Sequence, residues 1–190
     1  MIYDALNILR NELNQHIRLR LSTPSDRVML SGVSSPEGQL PVEFNDKILL
    51  SLVNLEHETN RRVNANFVSG GAAMSGRQFP SIQLNLYVMC SAYFNPDNYD
   101  ESLKFISEAI SFFQGKPVFT SENTPDMPES INKITLEVVN LNMQDMSHFW
   151  GVVGARYLPS VIYKVRMLNF QDGKIVESLP NVQGTQGQAR

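Results

Sequence analysis

The segment Ile82 to Phe94, IQLNLYVMCSAYF, alternates without a break between two kinds of side chain. Ile82, Leu84, Leu86, Val88, Cys90 and Ala92 fall on one side of an extended chain, and Gln83, Asn85, Tyr87, Met89, Ser91 and Tyr93 on the other. Successive strand residues point to opposite faces, so a period of two predicts a long β-strand with one core face. Such a strand is stable only in a sheet of several strands with another layer packed on it. The fold must therefore supply that sheet and its cover.

The rest of the chain provides both. Lys47 to Glu58, KILLSLVNLEHE, reads as a second long strand, apolar on both faces and therefore central. A short strand is expected at 27–31 and a short extended piece at 116–120. Two further strands are expected at Lys133–Asn142 and 160–171, the last opening after Pro159. Three helices frame them. In residues 2–21, Ile2, Leu6, Leu9, Leu13 and Ile17 recur every three or four positions, which leaves Asn7, Arg10, Asn11, Asn14 and Arg18 to face water or a partner. A second helix follows Asn98, whose spacing to Glu101 resembles a capping box. Its expected core stripe is Leu103, Ile106, Ile110 and Phe113, with Gly115 at its C-cap. A short helix over 144–153 carries Phe149 and the single tryptophan, Trp150, and Gly154 closes it. The order of elements predicts an α+β fold with a single mixed, mostly antiparallel sheet and flanking helices.

Two segments break the pattern. Residues 59–81 contain Gly70, Gly71 and Gly76 with little periodicity and read as an extended arm or loop at an interface. Residues 173–190 turn polar and read as a flexible C-terminal tail, which leaves 1–172 as the folded domain.

Composition limits the function. Net charge is −3, so no broad basic face for nucleic acid is expected. The local cluster Arg10, Arg18, Arg20 and Arg27, with Arg61 and Arg62, lacks interleaved aromatics and reads as a solvated or partner-facing surface. One cysteine forbids an internal disulfide, and no apolar run approaches a membrane span. The N-terminus lacks the pattern of a signal peptide, so synthesis in the cytoplasm and no membrane insertion are expected. His16, His57 and His148 show no metal spacing. Cys90 lies on an apolar strand face and reads as core. The stretch Gly70–Gly76 lacks the lysine and helix start of a phosphate loop. No residue is singled out as catalytic, metal-binding or cofactor-binding.

Several stretches taken together are more specific. MIYDALNILRNELN, ILLSLVNLEHE, IQLNLYVMCSAYF, NYDESLKFISEAISFFQGKPVFT and FWGVVGARYLPSVIYKVRML occur in that order over residues 1–172. They resemble the N-terminal domain family of cap, or tail-terminator, proteins of phage-tail-like contractile injection systems. The resemblance implies a tail-terminator-like fold and a structural role without catalysis or cofactor. It implies a homo-oligomeric, hexameric ring on the distal end of the inner tube that ends tube and sheath polymerisation and anchors the last sheath ring. Implied partners are the inner tube protein, the sheath protein and a length-ruler protein, in a particle that is released or membrane-associated. A neck or baseplate adaptor of the same particle is the alternative. Arginine and aromatic residues dominate interface hot spots, so the expected contact residues are Arg10, Arg18, Arg20, Arg61, Arg62, Phe67, Arg77, Tyr87 and Tyr93.

Overall fold

The computed structural model describes residues 1–34, 42–58, 67–70, 74–78, 82–170 and 175–180. In chain order the elements are α1 (Ile2–Leu21), β1 (Val28–Leu30), β2 (Lys47–His57), β3 (Phe67–Gly70), β4 (Met74–Gln78) and β5 (Ile82–Tyr93). There follow α2 (Tyr99–Gly115), β6 (Val118–Thr120), β7 (Lys133–Val139), α3 (Met143–Val153), β8 (Ser160–Phe170) and β9 (Ile175–Pro180). The chain divides into two units, Met1–Glu56 with Leu84–Leu168, and His57–Gln83 with Asn169–Arg190.

The first unit is built on a six-stranded sheet of order β1-β2-β5-β8-β7-β6. β1 runs parallel to β2, and β6, β7 and β8 are antiparallel neighbours. The Ala92 N–H donates to the Pro159 carbonyl at 2.9 Å, while Tyr87 meets Lys164 further along, so β5 and β8 also run in opposite senses. The sheet is mixed and mostly antiparallel, as the order of elements predicts.

Both faces are covered. On β8, Tyr163 packs edge-on to Phe113 of α2 (5.0 Å between centroids), whereas its neighbour Ile162 packs with Trp150 of α3. Adjacent strand residues point to opposite faces, so α2 and α3 lie on opposite sides of the sheet. α1 runs antiparallel to α2: Glu12, His16 and Arg20 meet Lys116, Glu108 with Phe112, and Glu108 in turn. Leu6, Leu9, Leu13 and Ile17 are buried, as the helical spacing predicts, with Ala5 and Ile8 beside them, whereas Ile2, expected in the same stripe, is only half-buried at the helix start. The core of the α3 side is Val33, Leu49, Met89, Trp150 and Ile162. Each such side chain contributes roughly 1.5–3 kcal/mol on burial.

The helix ends are set by local chemistry. Asn142 caps α3, its side-chain oxygen accepting from the Asp145 N–H at 2.8 Å. Gly154, at φ 69°, closes it in the left-handed region that glycine favours. α2 departs from expectation: Asn98 makes no capping bond with its side chain and instead donates to Asp46 Oδ1 at 3.2 Å. Gly115 is the last helical residue and Lys116 takes the C-cap position. The buried stripe of α2 is Ser102, Phe105, Ile106, Ala109 and Phe113. Leu103 and Ile110, expected in the core, are 41% and 40% exposed.

The second unit holds a three-stranded antiparallel sheet of order β3-β4-β9. Strands therefore occur inside the stretch expected to be a loop and inside the expected tail. Met74 pairs with Pro180 and Arg77 with Glu177, with an irregularity at Arg77/Gln78. Pairing with a strand a hundred residues away in sequence overrides the weak strand propensity of a glycine-rich segment.

Candidate interaction surfaces

Titratable and nucleophilic groups are dispersed. His16 Nε2 lies 3.2 Å from Glu108 Oε2 and its ring lies 5.0 Å from Phe112, at the α1–α2 contact. His57 and His148 are exposed on different elements. Among the described residues no cluster of three His, Cys, Asp or Glu side chains is placed to hold a metal. Cys90 is fully buried, and burial pushes its thiol up to about 12, so it carries little thiolate at neutral pH.

Three of the arginines proposed from sequence, Arg10, Arg18 and Arg20, sit on α1. Arg10 is half-buried and, among the described residues, donates only to its neighbour Asn11, at 3.0 and 3.2 Å. Arg18 and Arg20 both lie in the last turn but point to different sides of the helix, Arg18 held loosely by Asp26 at 3.4 Å and Arg20 by Glu108 at 3.6 Å. Exposed pairs of this kind contribute about 0–1 kcal/mol, so both guanidinium groups are available at little cost. Leu19 is exposed between them. Arg27 is different: it donates to the Asp46 carbonyl at 3.1 Å and lies over the Phe105 ring, which makes it part of the packing.

On the side of α2 turned away from Glu108, which meets Arg20, Tyr99, Leu103 and Ile110 are exposed to solvent. These positions fall on one helical side, and none belonged to the surface expected from sequence. The signal was available: α2 carries Leu103, Phe105, Ile106, Ala109, Ile110, Phe112 and Phe113, too wide an apolar arc for one core stripe.

Tyr87 and Tyr93 lie across the sheet, on the α3 side. Both are half-buried against the Met89–Trp150 core. The Tyr87 hydroxyl donates to Glu56 Oε2 at 2.9 Å, and Lys164 Nζ donates to the same oxygen at 2.6 Å. Lys164 also lies over the Tyr87 ring, 5.4 Å from its centroid. The Lys164 hydrogen bond, then that of Tyr87, holds the Glu56 carboxyl below the usual carboxylate range. The Glu56 bond in turn raises Lys164. Next along β8, Arg166 meets Glu137 at 2.7 Å. Around α3 large apolar side chains stand exposed among polar ones, with Met143 82% and Val152 89% exposed and Tyr157 standing edge-on to Trp150 at 5.7 Å.

The structure thus separates the proposed contact residues. Arg18 and Arg20 share one turn of α1; Tyr87 and Tyr93 share the opposite face of the sheet. Phe67 and Arg77 are directly opposed partners in the β3–β4 pair. Arg61 and Arg62 lie outside the described residues.

The fold has solved counterparts. Over 100% of its length the chain is similar to 63% of the sheath/tube terminator of an extracellular contractile injection system, PVC, in its extended state, with a TM-score of 0.65 at 12% identity. Over 94% of its length it is similar to 59% of the tube-terminating cap of the anti-feeding prophage, with a TM-score of 0.59 at 14% identity. The chain therefore spans less than two thirds of either protein. No curated protein sequence matches it significantly. The sequence pattern of the Pvc16 N-terminal domain matches residues 4–183, nearly the whole chain, which therefore belongs to the Pvc16 N-terminal domain family.

Proposed function

We propose that this chain is the cap, or tail terminator, of a contractile injection system. The single observation that carries the reading is its fold likeness, from end to end, to a sheath/tube terminator; family membership supports it. In this role copies of the chain form a ring, taken as hexameric, on the distal end of the inner tube. The ring blocks addition of further tube, at a length fixed by a ruler protein, and holds the last sheath ring. The role is structural rather than enzymatic. Such a subunit needs outward contact surfaces held on a stiff frame, and apolar surface on both sides of one sheet suits it. The loosely paired Arg18 and Arg20, with Arg10 behind them, are the proposed contacts on α1. Phe67 and Arg77, on the small sheet, are further proposed contacts, and Arg61 and Arg62 are proposed on their sequence alone.

The test is deletion of the gene and measurement of particle length by negative-stain electron microscopy. Overlong, ragged or sheathless tubes on an intact baseplate are expected. Particles of normal length with a normal blunt end would overturn the cap reading and favour an adaptor elsewhere on the particle.

A further inference from the structure

α1 crosses the large sheet from one edge to the other. Toward its C-terminal end, Asn14 bonds to Val28 of β1 and Arg18 meets Asp26, just ahead of that strand. At its N-terminal end it borders the connection between β6 and β7, and the two enclose a cleft of about 180 Å³. β1 and β6 are the outermost strands of the sheet. The helix supplies Asp4, Asn7, Asn11 and Glu12 to the cleft and the connection supplies Thr124 and Asp126; Ile8 and Pro128 are the apolar part of its lining.

The two ends carry opposite charge. Between Ser121 and Asn132 the connection holds Glu122, Asp126 and Glu129 and no basic residue. In the cleft, Asp4 is held by the terminal amino group at 2.5 Å and Glu12 by Lys116 at 2.7 Å. Asp126 is exposed and enters no ion pair among the described residues. Asn7 Oδ1 likewise has no donor among them. With the Asn7 carboxamide turned toward the opening, a guanidinium satisfies both the carboxylate and the amide oxygen. At the other end Arg20 turns to Glu108, while Arg18 keeps only its 3.4 Å contact with the exposed Asp26. The helix dipole favours acids at the start of α1 and bases at its end. It accounts for Asp4 and the arginines but not for the three acids of the connection, which lie outside the helix. Asp4, Asn11 and Arg18 recur every seven positions, close to two full turns, so the cleft and Arg18 share one side of α1.

We propose that this cleft receives the Arg18 side chain of a second copy of the chain, so that the β1 edge of one copy meets the β6 edge of the next. The two surfaces differ, which makes the contact head-to-tail, and such contacts close into a ring when the rotation between copies permits. A basic segment of another protein is the competing occupant. A second copy is favoured because the chain itself carries the complementary turn, on the same side of the same helix. The inference rests on the ring reading above and names the residues that join its copies.

The experiment places a photoreactive benzoylphenylalanine at position 125 of the full chain, exposed beside Asp126, irradiates purified particles and sequences the crosslinked peptide. The expected product joins position 125 to the segment Ile17–Ser22. Within one chain the cleft and that segment are separated by about 21 Å of helix, so the product can only come from two copies. A companion set reads the charge. Arg18→Glu and Asp126→Arg, each checked for fold by circular dichroism, should be retained on particles at a level about tenfold lower, the equivalent of 1.4 kcal/mol. The double variant restores an opposite pair at every contact and should return to wild-type retention. A crosslink to a different protein, no crosslink to Ile17–Ser22, or a double variant no better than the single ones would overturn the proposal and leave the cap reading in place. Particles that lack the chain altogether would overturn the cap reading, and this inference with it.

Discussion

Asn14 should be worth more to the fold than any other polar residue of α1. It lies on the face of that helix expected to meet water, yet it is only 5% exposed. Its side-chain oxygen accepts from the Arg27 N–H at 2.9 Å and the Val28 N–H at 2.8 Å, and its amide donates to the Val28 carbonyl at 3.0 Å. The side chain thus stands in for a missing neighbour strand on the outer edge of β1. Asn14→Leu keeps the volume and removes all three bonds. Val28 is 1% exposed, so its N–H and C=O cannot reach water in compensation. A stranded buried group costs about 1–3 kcal/mol, so two give a loss of about 2–6 kcal/mol. That is a large part of the ~5–15 kcal/mol that separates folded from unfolded states in most domains. Asn11→Leu, one turn away, is the control. Asn11 is exposed and bonds only to Arg10, so its substitution should stay within about 0.5 kcal/mol of wild type. Equilibrium unfolding in urea, followed by circular dichroism, measures both. Equal midpoints for the two variants at unchanged slope would refute the assignment of Asn14 as the edge partner of β1.

Three other outcomes follow from the same geometry. Trp150→Ala should destabilise by about 3–5 kcal/mol, since it empties the centre of the α3-side core; a shift below about 1 kcal/mol in the same urea assay would contradict that placement. Glu56→Gln should lose a contribution with a defined pH window. The folded Glu56 carboxyl titrates below its ordinary 4.5, so the contribution is present above that value and fades as pH falls through the lowered one. The raised Lys164 keeps its share up to its ordinary 10.5 and loses it as pH rises through the raised value. The stability difference between wild type and Glu56→Gln should therefore be flat between these limits and shrink in acid; a difference that grows in acid would reverse the sign of the argument. Finally, Cys90 should resist a thiol reagent such as DTNB in native protein at pH 8 and react at once in denaturant, and stoichiometric labelling of the native chain would show that the β5 core face is open.

How far the sequence could be read depended on how local the deciding interactions were. The long strand Ile82–Tyr93, the stripe Leu6–Leu9–Leu13–Ile17 and the Gly154 stop are local signals, and the structure keeps them, but β5 has two core faces where the alternation predicted one: Asn85, Met89 and Ser91 are buried too, because α3 covers the second face. The small sheet was illegible because no residue within Phe67–Gln78 reports that its partner is Ile175–Pro180. Asn98 failed as a capping box because Asp46, far away in sequence, competes for its side chain. Asn14 was placed on the wet side because helical periodicity shows which residues are polar but not which polar residues meet an edge strand. Of the interaction surface, the basic turn of α1 was legible as a cluster of like charge. The apolar arc of α2 was legible as too wide for one core stripe, but which part of it stays outside is decided only when Phe105 and Ala109 are seen to fill the core and leave Leu103 and Ile110 exposed.

That last ambiguity bears on what the molecule is for. A chain that catalyses spends its unusual residues on a concavity with converging polar groups. Here the unusual residues lie on convex helix surfaces: Tyr99, Leu103 and Ile110 over α2, and Met143, Val152 and Tyr157 around α3. Such apolar area is retained against the pressure to aggregate only where something covers it in use. The two areas lie on opposite sides of one six-stranded sheet, so that sheet fixes their separation and orientation. In the cap role proposed above, contacts on both sides of the sheet need that rigidity more than they need any pocket. Leu103→Asp and Val152→Asp then test the α2 side and the α3 side separately, each by retention of the folded variant on particles, and full retention of both would refute a contact role for this exposed apolar surface.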